Sequence, residues 1–458
     1  MASKLAWAAC LLAGLTTGAF AQGDARRAAE RDMLKRAVEI PSVKGRGRMD
    51  EMTAMLSDEL RKAGIRNIVI KKHGDTETLI ARWKAANATK KPILLMAHMD
   101  VVEANAADWK NDPFTFRHDG DWYLGRGVVD NKASMIAMIA ALQRLKARSF
   151  APARDIVLLL TGDEETDQDG ARLASTEWKE LIDAEFALNS DGGGGGILPG
   201  GKVDYFGIQV AEKIYADFSL TATNRGGHSS APRADNAIYQ LAQALKNLEE
   251  YRFTPRLTPI NRPIWEHTAA NDGGIAGALV KAWLDEPGNL EYADAVESMF
   301  PGNTRTRCIA TMLSGGHAPN ALPQKASANV NCRIFPTETI AQTKETLARI
   351  AGPEGVVAQV DTSGRPSPPS DLRADVIDAV TRSIRTRFPD AKVIPDMSAG
   401  ATDGLYTRAA GIPTYGVSGL WGYVNEPLGV HGLDERIRAE SFHDDVNHWE
   451  RILRELAG

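Results

Sequence analysis

Cysteine is scarce. Three in 458 residues cannot supply a disulfide framework, and a chain this long does not need one. A surplus of positive charge is also missing. Lys and Arg number 54 against 59 Asp and Glu, a formal charge of −5, and no basic stripe stands out. General nucleic-acid binding needs such an excess or stripe and is excluded. No apolar run reaches the roughly 18 residues of a membrane span. What is present is ordinary globular material: 43% hydrophobic and 25% charged residues, which argues against disorder. The length suits two or three domains.

The first 21 residues read as a processing signal. Lys4 is their only charged side chain, Leu5 to Leu15 is apolar, and Ala19-Phe20-Ala21 fits a small-x-small cleavage site. Residues 1–21 are thus expected to be a signal peptide, removed on export to a periplasmic or secreted location. Cleavage removes Cys10 and leaves Cys308 and Cys332. An exported protein could bridge them, but two buried free thiols are the simpler expectation.

Periodicity predicts helix over 27–64 and short strands at 68–70 and 78–83. Pro92 to Ala97 is a continuous apolar run ending in His98, the pattern of a central strand buried on both faces. Lys132 to Ala147 reads as a strong helix, and 155–161 and 186–189 as further buried strands. Strand, helix and strand at this spacing give an α/β sheet covered by helices. The texture then changes. Residues 214–223 and 327–334 alternate like half-exposed antiparallel strands, with helices at 236–248 and 338–350 and a strand at 356–360. The stretch 252–304 reads as a long irregular insertion, and Gly192–Gly196 as a tight loop. The expected organisation is a catalytic domain over 22–213 and 366–458, interrupted by an inserted α+β domain at 214–365.

Four clusters carry chemistry. His98-Met99-Asp100 follows a buried strand, and Asp130 stands at the mouth of the helix from Lys132. Gly162-Asp163-Glu164-Glu165 and Asn189-Ser190-Asp191 each follow a strand. In α/β sheets the carboxyl ends of strands are where ligands sit. Crowded acids there repel unless cations share the charge. Any one cluster alone would pass as a cap or a solvated turn; four together point to metal ligation. Carboxylates with histidine suit Zn²⁺, with Co²⁺ or Mn²⁺ as substitutes. Two such ions activate water and polarise a carbonyl, and one acid must stay unligated as general base.

These motifs resemble the M20 metallopeptidases, the relatives of glutamate carboxypeptidase, aminoacylase-1, carnosinase and secreted N-acyl-amino-acid hydrolases. The matching stretches run from Met96-Ala-His98-Met-Asp100 through Gly125-Arg-Gly-Val-Val-Asp130-Asn-Lys132, Thr161-Gly-Asp-Glu164-Glu165 and Ser190-Asp191-Gly192. They continue with Gly226-Gly-His228-Ser-Ser230, Gly316-His-Ala-Pro-Asn320-Ala-Leu-Pro323 and Val430-His431-Gly432, so the resemblance spans nearly the whole chain.

The resemblance implies a di-zinc exopeptidase-type catalytic domain, a mixed sheet with helices on both faces, carrying an inserted lid and dimerisation domain. It implies two divalent ions: His98 and Asp191 on one, Glu165 and His431 on the other, and Asp130 bridging. Glu164 is implied as the general base that takes a proton from the bridging water and passes it to the leaving amine, with Asp100 supporting His98. His228 is implied as an oxyanion donor, supplied across a homodimer in dimeric relatives. Asn320, Arg333, Gly400 and Thr402 match substrate-binding positions. The expected reaction is cleavage of a peptide amide near a free carboxylate, as in a carboxypeptidase or dipeptidase. An N-acyl-amino-acid amidohydrolase is the alternative, and a periplasmic solute-binding protein a remote one. Position 191 is Asp where some carboxypeptidase and aminoacylase relatives carry Glu, which weakens transfer of their specificity. Trp265, Trp283 and Phe300 in the insertion either line an acyl pocket or brace the lid.

Overall fold

The computed structural model describes residues 23–352, 356–360 and 364–458, so the expected signal peptide lies outside the described residues. Two compact units emerge. The first comprises residues up to Gly207 with Arg373–Val393 and Gly416–Gly458; the second comprises Ile208–Leu372 and Ile394–Tyr415. Among the described residues no helix is long and apolar enough to cross a membrane.

The first unit is a mixed α/β layer. Its strands run in the order Asn67–His73, Thr76–Trp83, Ile156–Thr161, Ile93–His98, Phe186–Ile197, Thr414–Tyr423. Ile93–His98 pairs in parallel with both Ile156–Thr161 and Phe186–Ile197, while Thr76–Trp83 runs antiparallel to both Asn67–His73 and Ile156–Thr161. Every residue of the two central strands Ile93–His98 and Ile156–Thr161 is buried, which explains their unbroken apolar sequences. The helix Lys132–Ala147 is buried nearly all round, and Ala439–Leu456 packs against it.

Two expectations need correction here. Residues 27–64 do not form one helix. Helix 23–38 stops before Pro41, Gly45 and Gly47 take positive φ, and a second helix runs Met49–Lys62. The glycine run is not a loop. It continues the strand Phe186–Ile197, with Gly194 and Gly195 paired to Gly207 and Phe206. A Cβ on Gly193 would lie 2.8 Å from the carbonyl oxygen of Gly416, so close backbone approach dictates glycine there.

The second unit holds an antiparallel sheet in the order Arg307–Gly315, Lys325–Ile334, Ile214–Thr223, Val356–Val360. The inward residues of Ile214–Thr223 and Lys325–Ile334 pack with those of helices Ala237–Glu250 and Ile340–Ala351 in one core that includes Phe218, Leu220, Val330, Leu241 and Leu347. The stretch 252–304 is more regular than its sequence suggests. It contains helices Arg262–Asn271, Gly274–Asp285 and Leu290–Met299, closed around Trp265, Trp283 and Phe300. Trp265 and Trp283 are buried in that cluster, so they brace it and do not line a pocket.

Cys308 and Cys332 form a disulfide, which overturns the expectation of two free thiols. Antiparallel pairing sets them directly opposite each other, a register that residue spacing alone does not reveal.

Candidate metal centre and surrounding site

His98 is the last residue of its strand and is fully buried. Its Nδ1 lies 3.1 Å from the backbone carbonyl of Asp100, to which it donates when the ring is neutral. That contact leaves Nε2 facing Asp130 Oδ1 at 2.9 Å and Asp191 Oδ1 at 3.9 Å. The Asp100 carboxylate does a second job. Its two oxygens accept the backbone N–H groups of Glu164 and Glu165, at 3.1 and 3.0 Å. Asp100 therefore fixes the turn that presents both glutamates, while its main chain orients the imidazole.

Asp130 stands just before the helix Lys132–Ala147 and joins the two histidines. One oxygen faces His98; the other lies 3.2 Å from His431 Nε2. The same His431 nitrogen is 2.9 Å from Glu165 Oε1. His431 reaches in from a loop where its backbone is left-handed, at φ 57°, a conformation that costs about 1–3 kcal/mol in a non-glycine residue. Two donor groups result, His98–Asp130–Asp191 and Asp130–Glu165–His431, each with its ligand atoms within 4.8 Å of one another. Asp130 belongs to both. Glu164 belongs to neither; its Oε1 accepts from Gln168 Nε2 at 3.0 Å.

Charge in this cluster is unbalanced. Burial raises Asp130, but hydrogen bonds with His431 and His98 outweigh it and hold the carboxyl well below its usual range. Burial and the charge of Asp130 push Glu165 upward. The hydrogen bond to Asp130, aided by Glu165, lifts His431 to about 9. His98 lies well above the ordinary imidazole value; burial lowers it, and Asp100 and Asp130 more than compensate. The acids thus draw cationic charge onto both imidazoles. Two divalent cations fit the same donor set, displacing those protons.

Sequence reading missed the support beneath Asp130. Glu435 is completely buried and accepts from Arg126 Nη1, at 2.7 Å, and from the backbone N–H groups of Gly127, Val129 and Asp130. The only sequence signal was a glutamate four residues after His431. Asp163, beside the two glutamates, is buried, accepts from Asp169 and Gly170 N–H at the start of the helix Asp169–Thr176, and is pushed up to about 6, chiefly by burial.

The remaining sequence candidates lie in the second unit. His228 pairs with Ala321, and Ser229 N–H donates to the Asn320 carbonyl, so His228 and Asn320 are neighbours. The Nδ1 of His228 accepts from Ser230 N–H, which places its ring proton on Nε2 in the neutral form. Arg333 lies over the Tyr215 ring, 4.8 Å from its centre. Gly400 N–H donates to the Ser398 hydroxyl. Thr402 is buried, and its N–H and hydroxyl both donate to Glu212 Oε2.

The chain matches the family model described as Peptidase family M20/M25/M40 over residues 94–455. It is 27% identical to the N-fatty-acyl-amino acid synthase/hydrolase of Mus musculus, with 97% of this chain and 95% of the relative covered. It is 27% identical to a probable carboxypeptidase S-like protein of Dictyostelium discoideum, covering 82% of this chain and 74% of that one. Among solved structures, an M20 family metallo-carboxypeptidase of Sulfolobus solfataricus shares the fold, at 21% identity and a TM-score of 0.65 over 93% of this chain and 98% of the other. A dinuclear metal binding M20 peptidase of Bacillus subtilis does so at 16% identity and a TM-score of 0.61, over 95% and 99%. Fold, donor set and sequence agree: the chain belongs to peptidase family M20/M25/M40 and is a hydrolase of amide bonds.

Proposed function

We propose an exported hydrolase that holds two zinc ions and cleaves the amide of a peptide close to a free carboxylate, with N-acyl amino acids as the second reading. The observation that carries it is Asp130, whose two oxygens face His98 and His431 separately. That placement suits a carboxylate shared by two ions, with His98 and Asp191 completing one site and Glu165 and His431 the other. The bound ions would polarise the scissile carbonyl and lower the pKa of water. The rest falls to the chain. Glu164 takes a proton from the attacking water and delivers it to the leaving nitrogen. Asp100 holds Glu164 and Glu165 at fixed positions through their backbone. His228, with its proton on Nε2, serves as donor to the oxyanion. Asn320, Arg333, Gly400 and Thr402 are assigned to substrate recognition, Thr402 by shaping its turn.

Three further features complete the reading. Residues 1–21 direct export, and the Cys308–Cys332 bridge supports an oxidising compartment. The inserted lid, 214–365, forms a homodimer. Its edge strand Arg307–Gly315 exposes Ile309, Met312 and Leu313, and Tyr239 is exposed on the helix packed beside it. N-acyl amino acids are the second reading because the murine relative is named for them and because apolar side chains line a cavity beside Asp191. Metal analysis tests the centre directly. The purified protein should hold two divalent ions per chain and Asp130→Ala should hold none. Full metal content and activity in Asp130→Ala would refute the shared-ligand assignment.

A further inference from the structure

Gln168 holds a backbone conformation that its residue type does not favour. It lies at φ 54° and ψ 25°, in the left-handed region, directly ahead of the helix Asp169–Thr176. The turn that imposes this is closed on Asp163. The N–H groups of Thr166 and Gln168 donate to the Asp163 carbonyl, at 3.2 and 2.8 Å, and those of Asp169 and Gly170 donate to its carboxylate. None of these bonds uses the glutamine side chain. Glycine enters a left-handed turn without steric cost, and asparagine or aspartate tolerates it. A glutamine there stores strain, and strain of this kind clusters at functional sites.

The side chain turns back four residues along the chain. Its Nε2 donates to Glu164 Oε1 at 3.0 Å, and both residues are half-buried. An ionised carboxylate only accepts, so the amide must present its NH₂ and not its carbonyl. Asp100 already anchors Glu164, but only through the backbone N–H. Several side-chain torsions separate that anchor from the carboxylate, and a backbone bond sets none of them. Glu165 differs, because His431 engages its carboxylate directly. The Gln168 amide is neutral, so it restrains the Glu164 oxygen without adding charge to a site already crowded with acids.

We propose that Gln168 is a positioning residue for the general base, its amide holding the Glu164 carboxylate where it takes a proton from the attacking water. The assignment rests on the reading of Glu164 as general base given above. Gln168 belongs to neither donor group of the metal centre and acts through Glu164. A reacting group misplaced by about 1 Å loses on the order of 10²-fold in rate. Loss of the amide should therefore appear in kcat and not in KM.

The test measures kcat and KM of the metal-loaded protein on alanyl-leucine and N-acetyl-leucine, together with metal per chain and urea unfolding, for wild type, Gln168→Gly and Gln168→Met. Methionine keeps the length of glutamine without a donor; glycine also removes the backbone strain. Both variants should lose kcat about 10–100-fold on whichever substrate is cleaved, with KM and metal content unchanged. Gln168→Gly should be at least as stable in urea as Gln168→Met, so equal losses in the two do not come from destabilisation. Wild-type kcat in either variant overturns the assignment, and so does a lower urea stability in Gln168→Gly than in Gln168→Met. The double variant gives a second readout. Glu164→Gln has no base to position, so adding Gln168→Gly to it should change kcat by less than about twofold. A larger further loss shows that Gln168 acts through something other than Glu164 and overturns the proposal while leaving the general base in place. If Glu164→Gln itself keeps wild-type kcat, the general-base reading fails and the positioning role with it. Cleavage of neither substrate with both ions bound overturns the amide-hydrolase reading, and this assignment with it.

Discussion

Arg126 and Glu435 form a buried ion pair, 2.7 Å from Nη1 to Oε2, that ties the turn ending in Asp130 to the loop carrying His431. Arg126 also donates from Nη2 to the carbonyl of Gly432, and Glu435 accepts the N–H of Asp130 itself. The pair fixes the spacing of two metal-ligand candidates that lie about 300 residues apart in sequence. Glu435→Ala leaves the Arg126 charge buried and alone, which should cost about 3–5 kcal/mol in urea unfolding. Glu435→Gln keeps the shape, and the loss of such an outer partner should weaken metal binding about 10–100-fold. Metal affinity equal to wild type in both variants would rule out a positioning role.

The two adjacent glutamates should separate by function. Glu164→Gln cannot accept a proton and should lower kcat by about 10²–10⁴-fold with metal content unchanged. Glu165→Gln should instead lose metal on dialysis, because Glu165 shares His431 with Asp130. The measurement is kcat beside metal per chain for each variant, and reversed behaviour would exchange the two roles.

His228→Ala should cost about 10²–10³-fold in kcat, or about 2.7–4 kcal/mol of barrier, with both ions retained. Mixing inactive His228→Ala chains with inactive Glu164→Gln chains creates dimers in which one site has Glu164 from one chain and His228 from the other. Recovered activity establishes service across the dimer. Verified heterodimers that stay inactive would leave closure within one chain as the explanation.

Asp445 gives a pH signature of folding stability. It is fully buried, and although Ser134 and Gly419 donate to it, burial pushes its carboxyl up to about 7. In the unfolded chain an aspartic acid loses its proton near about 3.9. Between those values the unfolded state releases a proton that the folded state keeps. The folded state is therefore favoured at low pH and loses stability as pH rises toward about 7, by up to about 1.4 kcal/mol per unit. Asp445→Asn removes this dependence. Urea titrations from pH 4 to 8 should show the wild type falling relative to the variant as pH rises, and parallel curves would show that the carboxyl is ionised throughout.

Much of the site was legible because its chemistry follows strand ends. An apolar run stopping at His98 and another before Gly162 place polar groups at one end of the sheet whatever the rest of the chain does. The acid clustering then asks for cations, and the order of these motifs along the chain is specific enough to point to the family. The supports were less visible. Asp100 reads as a partner of His98 from its spacing, and its Oδ1 does lie 3.5 Å from His98 Nδ1; that its carboxylate also holds Glu164 and Glu165 was hidden, because only the following turn brings their N–H groups to it. Glu435 reads as one acid among many until the fold buries it under Asp130.

The sequence by itself determined the buried central strands and the order along the chain of the candidate metal-ligand residues, since hydrophobic period and local polarity are short-range properties. Tertiary structure alone decided what depends on which distant segments meet. Pairing register joined Cys308 to Cys332. Helix packing turned the aromatic stretch 252–304 into a small core. Close approach of the Thr414–Tyr423 strand made Gly192–Gly196 part of a strand rather than a loop, because only residues without a Cβ let two backbones come that near.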